Sequence, residues 1–146
     1  MRALGLDPSL RSYGYLIYDD ELSGMSRIVH SGHQGTDKNI VPSRRFVIFK
    51  EMVESLLSRF SVAIVGIESP AYGGGPFSST HHNLLAYSAE AVFNRRVDLI
   101  LFDPTTLKYL ATGNSKAAKS DMLRHLQIDL RTTKNLGNDE VDAYFL

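Results

Sequence analysis

Cysteine is absent from the chain, which excludes a disulfide framework, a thiolate zinc centre and thiol redox chemistry; an intracellular origin fits. No apolar run reaches the roughly 18 to 20 residues that span a bilayer. The N-terminus lacks the basic-then-apolar order of a signal peptide. A soluble cytoplasmic protein is the expectation. Also missing are a linker and any break in composition, so 146 residues are expected to form one domain around one core. There is no internal repeat, and the longest low-complexity tract is the triple glycine at 73–75. That tract is not a phosphate-binding P-loop, because no G-K-[ST] follows it.

Net charge is missing as well: 16 basic residues balance 16 acidic ones. A neutral chain argues at first against a nucleic-acid partner, whose phosphates are held largely by Lys and Arg. The balance is uneven along the chain, however. Residues 95–134 hold eight basic residues against four acids, a surplus of +4, and the remainder carries the compensating −4. Two divalent cations bound by acids of the remainder would lift the whole to about +4, with the positive segment near them. A solvated charged surface accounts equally for most of these side chains.

What is present reads as alternating strands and helices. Residues 2–7 and 13–19 are apolar stretches joined by "PSLRS", turn chemistry short enough to make an antiparallel hairpin. "RIVHSGHQG" is expected to supply a third strand. From Pro42 to Phe60, Phe46, Phe49, Val53, Leu56, Leu57 and Phe60 recur at helical spacing, the pattern of an amphipathic helix facing a core. "VAIVGIES", Val62 to Ser69, is a nearly unbroken apolar run and predicts a strand covered on both faces. A helix over about 80–94, a strand over 97–102, short helical pieces after Pro104 and over 116–127, and a last helix from about Asn138 complete the order. A meander followed by strand–helix–strand units predicts an α/β architecture: a mixed five-stranded sheet, part antiparallel and part parallel, with helices on both faces.

Two of the strands end in a carboxylate, Asp7 and Glu68, and the final helix places Asp139 and Asp142 at i and i+3 on one face. Each has an ordinary explanation. Asp7 before Pro8 is turn composition, Glu68 can be an exposed strand end, and Asp139 can cap its helix with Asp142 solvated on the first turn. Together they make a set that a hard divalent cation would bridge, because such ions take carboxylate oxygens and leave positions for water and substrate phosphate. Of the histidines, His30 and His33 lack metal partners, and His81 and His82 read as capping or exposed residues.

The four blocks "LGLDPSLRSYGY", "VGIES", "LKYLATGNSKAAKSDM" and "NDEVDAYFL" occur in the order found in a known family. The sequence resembles the RuvC family of Holliday junction resolvases, within the RNase H and retroviral integrase superfamily, over essentially its whole length. The resemblance implies an RNase H-like fold and a single nuclease domain over 1–146. It implies metal ligation and catalysis by Asp7, Glu68, Asp139 and Asp142, with two Mg2+ ions per site for which Mn2+ could substitute. Lys119 would lie beside the scissile phosphate and Lys108 would contact the backbone nearby, roles that suit a compact ammonium charge; exposed helix lysines are the plain alternative. Lys116 and Arg124 are weaker candidates for DNA contact, as are Arg95 and Arg96.

In the family an aromatic residue shortly after the second acid wedges into the junction. Tyr72 and Phe77 stand at the matching place around "GGGP", and such aromatics can stack on unpaired bases or fold back onto the core. The implied partners are branched DNA, above all four-way junctions, and a second copy of the chain, since two symmetric nicks need two sites. Leu84, Leu85, Val92 and Phe93 offer apolar surface on the helix that forms the family's dimer interface, unless they face the sheet. The implied host is a bacterial or phage-infected cell. Two alternatives stay open: a relaxed nuclease of flaps and forks, as in phage-type members, and a non-catalytic DNA-binding subunit. Only four residues follow Asp142. Either the chain continues further in nature or neighbouring packing holds this helix.

Overall fold

The computed structural model describes residues 1–9, 11–69, 78–134 and 137–146, with the backbone alone at 78 and 138–140. Tyr72, Phe77 and the triple glycine lie outside the described residues. Five strands, β1 (Arg2–Asp7), β2 (Ser12–Asp19), β3 (Ile28–Gly35), β4 (Ile64–Glu68) and β5 (Asp98–Phe102), form one sheet in the order β3-β2-β1-β4-β5. β1, β2 and β3 are antiparallel, whereas β4 runs parallel to β1 and β5 parallel to β4. This is the mixed sheet expected from the meander and the two strand–helix–strand units. Its helices are α1 (Pro42–Phe60), α2 (Ser78–Asn94), α3 (Pro104–Thr112), α4 (Lys119–Asp129) and α5 (Asn138–Phe145).

Side-chain alternation sorts the residues onto two faces. On one face Leu4 and Leu6 of β1, Tyr13 and Ile17 of β2, and Val65 and Ile67 of β4 are fully buried with Phe49 and Val53 of α1 and Leu84, Ala91 and Val92 of α2. The periodicity of α1 is thereby explained, except that Phe60 is only partly buried, with the His30 ring stacked on it at 5.1 Å. Two polar groups sink into this core with partners. The Tyr13 hydroxyl donates to Ser88 Oγ at 2.6 Å, which in turn donates to the Leu84 carbonyl; burial holds the Tyr13 phenol well above its ordinary pKa. The buried Arg45 donates to the carbonyls of Ile40 and Lys38 at 2.7 and 2.6 Å, fastening the segment that enters α1.

The other face carries a second cluster, formed by Leu107 and Ala111 of α3, Met122 and Leu126 of α4, Leu130 at the end of α4, and Val141 of α5. α5 lies against β1 and β2 and touches α3 and α4, so packing holds this short helix.

Several boundaries differ from the sequence expectation. β4 covers Ile64–Glu68 rather than Val62–Ser69. α4 begins at Lys119 rather than 116, because Ala118 is its N-cap and the Asp121 carboxylate accepts the Ala118 N–H at 3.0 Å. α3 continues to Thr112 and is stopped by Gly113 in the left-handed region. The 3-10 turn Gly24–Arg27 was not foreseen.

Candidate active site

β1 and β4 pair in parallel with Gly5 opposite Gly66 and Leu6 opposite Ile67. Their next residues, Asp7 and Glu68, therefore emerge at the carboxyl ends of neighbouring strands, where open α/β sheets gather ligands. Because alternate residues share a face, both carboxylates project to the side on which α5 lies. The Ser69 N–H donates to the Phe102 carbonyl at 2.8 Å, which carries the β4–β5 ladder one residue past Glu68 and fixes the strand end.

α3 and α4 wall the site. Asp103 caps α3: its carboxylate accepts the N–H groups of Thr105 and Thr106, each at 3.0 Å, and the hydroxyls of the same two threonines. Those hydrogen bonds, the hydroxyls first, hold its carboxyl well below the usual range. Pro104 occupies the first turn, where no N–H is needed. The helix thus begins directly after β5 and aims Leu107 and Lys108 at the strand ends.

The result is a cleft of about 250 Å³ lined by Asp7, Glu68, Pro104, Leu107, Lys108, Lys119, Met122 and Asp142. Asp142 is 6 % exposed, and Lys119 Nζ donates to its Oδ2 at 2.5 Å. Burial pushes the Glu68 carboxyl up, and the charge of Asp142 pushes it further; Lys119 and Lys108 pull in the opposite direction. Three acids and two ammonium groups, drawn from β1, β4, α3, α4 and α5, share one concavity.

Asp7, Glu68, Asp142, Lys108 and Lys119 are thus brought together. Asp139 lies on α5, but its side chain is outside the described residues. Lys116 is exposed on the turn before α4, and Arg124 lines a separate cleft of about 270 Å³ with Thr112, Asn114, Ala117, Asp121 and His125. Arg95 and Arg96 are exposed beyond α2. Sequence reasoning missed the apolar walls Pro104, Leu107 and Met122. It also missed the cap at Asp103, although an aspartate followed by proline and two threonines is a readable helix start.

Among the described residues no group of three or more His, Asp or Glu side chains is arranged to hold a metal ion as it stands. The cation that meets Asp142 is the Lys119 ammonium. The donor chemistry nevertheless fits a hard divalent ion: carboxylates only, half-buried or buried, with a crowded pair whose charge a cation would relieve.

The chain matches the family described as "Crossover junction endodeoxyribonuclease RuvC" over residues 3–144. It is 26% identical over 148 residues to the crossover junction endodeoxyribonuclease RuvC of Rickettsia conorii, covering 98% of this chain and 92% of that one. Among solved structures, Thermus thermophilus RuvC superposes with a TM-score of 0.85 at 20% identity, over 99% of this chain and 92% of that one. The same protein in complex with a Holliday junction substrate also gives 0.85, at 18% identity, over 99% and 91%. At these identities the structural likeness establishes the RNase H-like fold.

Proposed function

The chain belongs to the RuvC family of crossover junction endodeoxyribonucleases, and from that premise we propose that it resolves four-way DNA junctions by hydrolysing phosphodiesters, with Asp7, Glu68, Asp139 and Asp142 as carboxylate ligands of Mg2+. The observation that carries this reading is the meeting of Asp7, Glu68 and Asp142 with Lys108 and Lys119 in one cleft at the ends of β1 and β4. When bound, a pair of divalent ions supplies a Lewis acid and an activated water.

The remaining work falls to the chain's own groups. Lys119, on the first turn of α4, would hold a non-bridging phosphate oxygen, and Asp142 would be a ligand of the divalent ion. Lys108 presents a second positive charge on the α3 wall for the adjoining backbone. Leu107 and Met122 keep the inner wall apolar, which strengthens the electrostatics beside them. Lys116 and Arg124, outside the cleft, would meet DNA arms rather than the cut phosphate. Tyr72 and Phe77 remain the proposed wedge at the crossover.

Two sites are needed for paired nicks, and a two-fold dimer supplies them. Of the α2 residues expected at such an interface, Leu84 and Val92 are fully buried in the core and Leu85 is partly buried, while Phe93 is 65% exposed. Ile100 and Leu101 of the edge strand β5 are exposed as well. The second copy is therefore assigned to the α2–β5 edge. No helix among the described residues is long and apolar enough to cross a membrane.

The test is cleavage of a synthetic four-way junction, a flap and a fork, each with and without Mg2+. Paired nicks in the junction that require Mg2+ support the reading. Preference for flaps or forks would redirect it to a relaxed branched-DNA nuclease, and no metal-dependent nicking of any branched substrate would refute it.

A further inference from the structure

We propose that Gly5 and Gly66 are positioning residues of the active site: they set the height of α5 above the sheet, and so the reach of Asp142 toward Asp7 and Glu68. The inference rests on the nuclease reading above and assigns a role to two residues outside the cleft. Both glycines lie in the middle of buried strands, a position where glycine ordinarily weakens a sheet and marks a close backbone approach. They face each other across the β1–β4 pair, and each stands two residues before a proposed ligand, on the same face.

What approaches them is backbone. A Cβ placed on Gly5 would sit 1.7 Å from the carbonyl oxygen of Ala143 and 2.7 Å from its carbonyl carbon. A Cβ on Gly66 would sit 1.9 Å from the Leu146 carbonyl oxygen. Neither obstacle is the end of a flexible side chain, so a rotamer change cannot relieve it. To restore ordinary contact at 3.4 Å, the segment over Gly5 would have to rise by at least 1.7 Å. Asp142 immediately precedes Ala143 and would rise with it. A misplacement of about 1 Å near reacting groups can cost on the order of 10²-fold in rate. Gly32 and Gly35 of β3 differ: a Cβ on Gly32 would meet only the end of the Tyr15 side chain, at 3.0 Å, and one on Gly35 nothing closer than the Arg11 carbonyl at 3.8 Å.

The experiment compares Gly5→Ala, Gly66→Ala and the control Gly35→Ala with wild type in three measurements: thermal melting, Mn2+ affinity by titration calorimetry, and Mg2+-dependent nicking of a four-way junction. Gly5→Ala and Gly66→Ala should melt cooperatively, lose about tenfold in Mn2+ affinity and lose roughly 10²-fold or more in nicking; Gly35→Ala should match wild type. A positional role also predicts rescue. Asp142→Glu alone should slow nicking, because its carboxylate overshoots, yet in the Gly5→Ala background it should speed nicking by extending the reach of the raised helix.

Wild-type Mn2+ affinity and nicking in both glycine variants would overturn the proposal. So would an Asp142→Glu effect of the same size and sign in both backgrounds, the additivity of independent sites. Loss of cooperative melting in both glycine variants would assign these residues to stability alone and overturn it too. A wild-type protein that nicks no branched DNA refutes the nuclease reading instead, and the Mn2+ arm still reads the glycines.

Discussion

On the α1/α2 face of the sheet, Leu4, Leu6, Ile17, Val65 and Ile67 meet the side chains of Phe49, Val53, Leu84 and Val92, and all are almost fully buried. On the α5 face, the positions between Leu4 and Leu6 of β1 and between Val65 and Ile67 of β4 are Gly5 and Gly66, and the partner is main chain. One face is filled by side-chain volume and tolerates shifts through rotamers; the other is set by rigid contact. The first face supplies stability, as apolar burial does anywhere. The second keeps a helix close enough for its carboxylate to join two strand-end acids. A site assembled from β1, β4 and α5 demands that kind of precision, because its members are separated by most of the chain.

Substitutions on the two faces should separate these roles. The largest effect is expected at Asp142→Asn: junction nicking should fall by 10²-fold or more, on the order of what removing one key electrostatic group costs, while junction binding in Ca2+ persists in a gel-shift assay. Full nicking by this variant would break the comparison. Ile67→Ala, on the side-chain face one residue from Glu68, should cost about 2–5 kcal/mol in chemical denaturation. Its nicking rate, measured well below its melting temperature, should stay near wild type. A loss of rate as large as that of Asp142→Asn would mean that the two faces are not functionally distinct.

Lys119→Met sharpens the α5 side. Without metal, it leaves the buried Asp142 carboxylate without the ammonium it now meets, so the melting temperature should fall. Saturating Mn2+ should restore it by supplying a cation at the same carboxylate, although nicking stays low. A melting temperature insensitive to both changes would show that the Lys119–Asp142 pair is immaterial to the docking of α5.

The smallest effect belongs to the α3 wall. Because Asp103 is held below its ordinary pKa by its hydrogen bonds to Thr105 and Thr106, its contribution to stability is present above the unfolded value of 3.8 and is lost as pH falls through the lowered folded value. Asp103→Ala should lower the melting temperature by a few degrees at pH 7. The difference from wild type should shrink on acidification below about pH 4. A gap independent of pH would remove the charged cap from the explanation.

The strand ends at Asp7 and Glu68, the hairpin, and the limits of α1 were legible in the sequence, because each is written in local pattern: apolar runs stopped by acids, turn residues, and a helical repeat starting at proline. Convergence was expected from the carboxylate set and the family resemblance, not from local pattern. That α5 returns to the β1–β4 pair is a long-range packing fact, and its local trace is the repeated glycine, apolar residue, acid in "GLD" and "GIE", a signal read only for its carboxylates. Periodicity likewise placed Leu84, Val92 and Phe93 on one helix without deciding which faced the sheet; the structure buries the first two and exposes the third. The start of α4 was misplaced because the cap is an alanine backbone satisfied by Asp121, with no capping side chain to announce it.

The most direct measurement is anomalous scattering at the manganese edge from crystals of the protein soaked in Mn2+. The expected result is anomalous density in the cleft between Asp7, Glu68 and Asp142, lost in crystals of Asp142→Asn. A cleft without manganese, at an Mn2+ concentration that supports junction nicking in solution, would contradict the assignment of these carboxylates as the ligands.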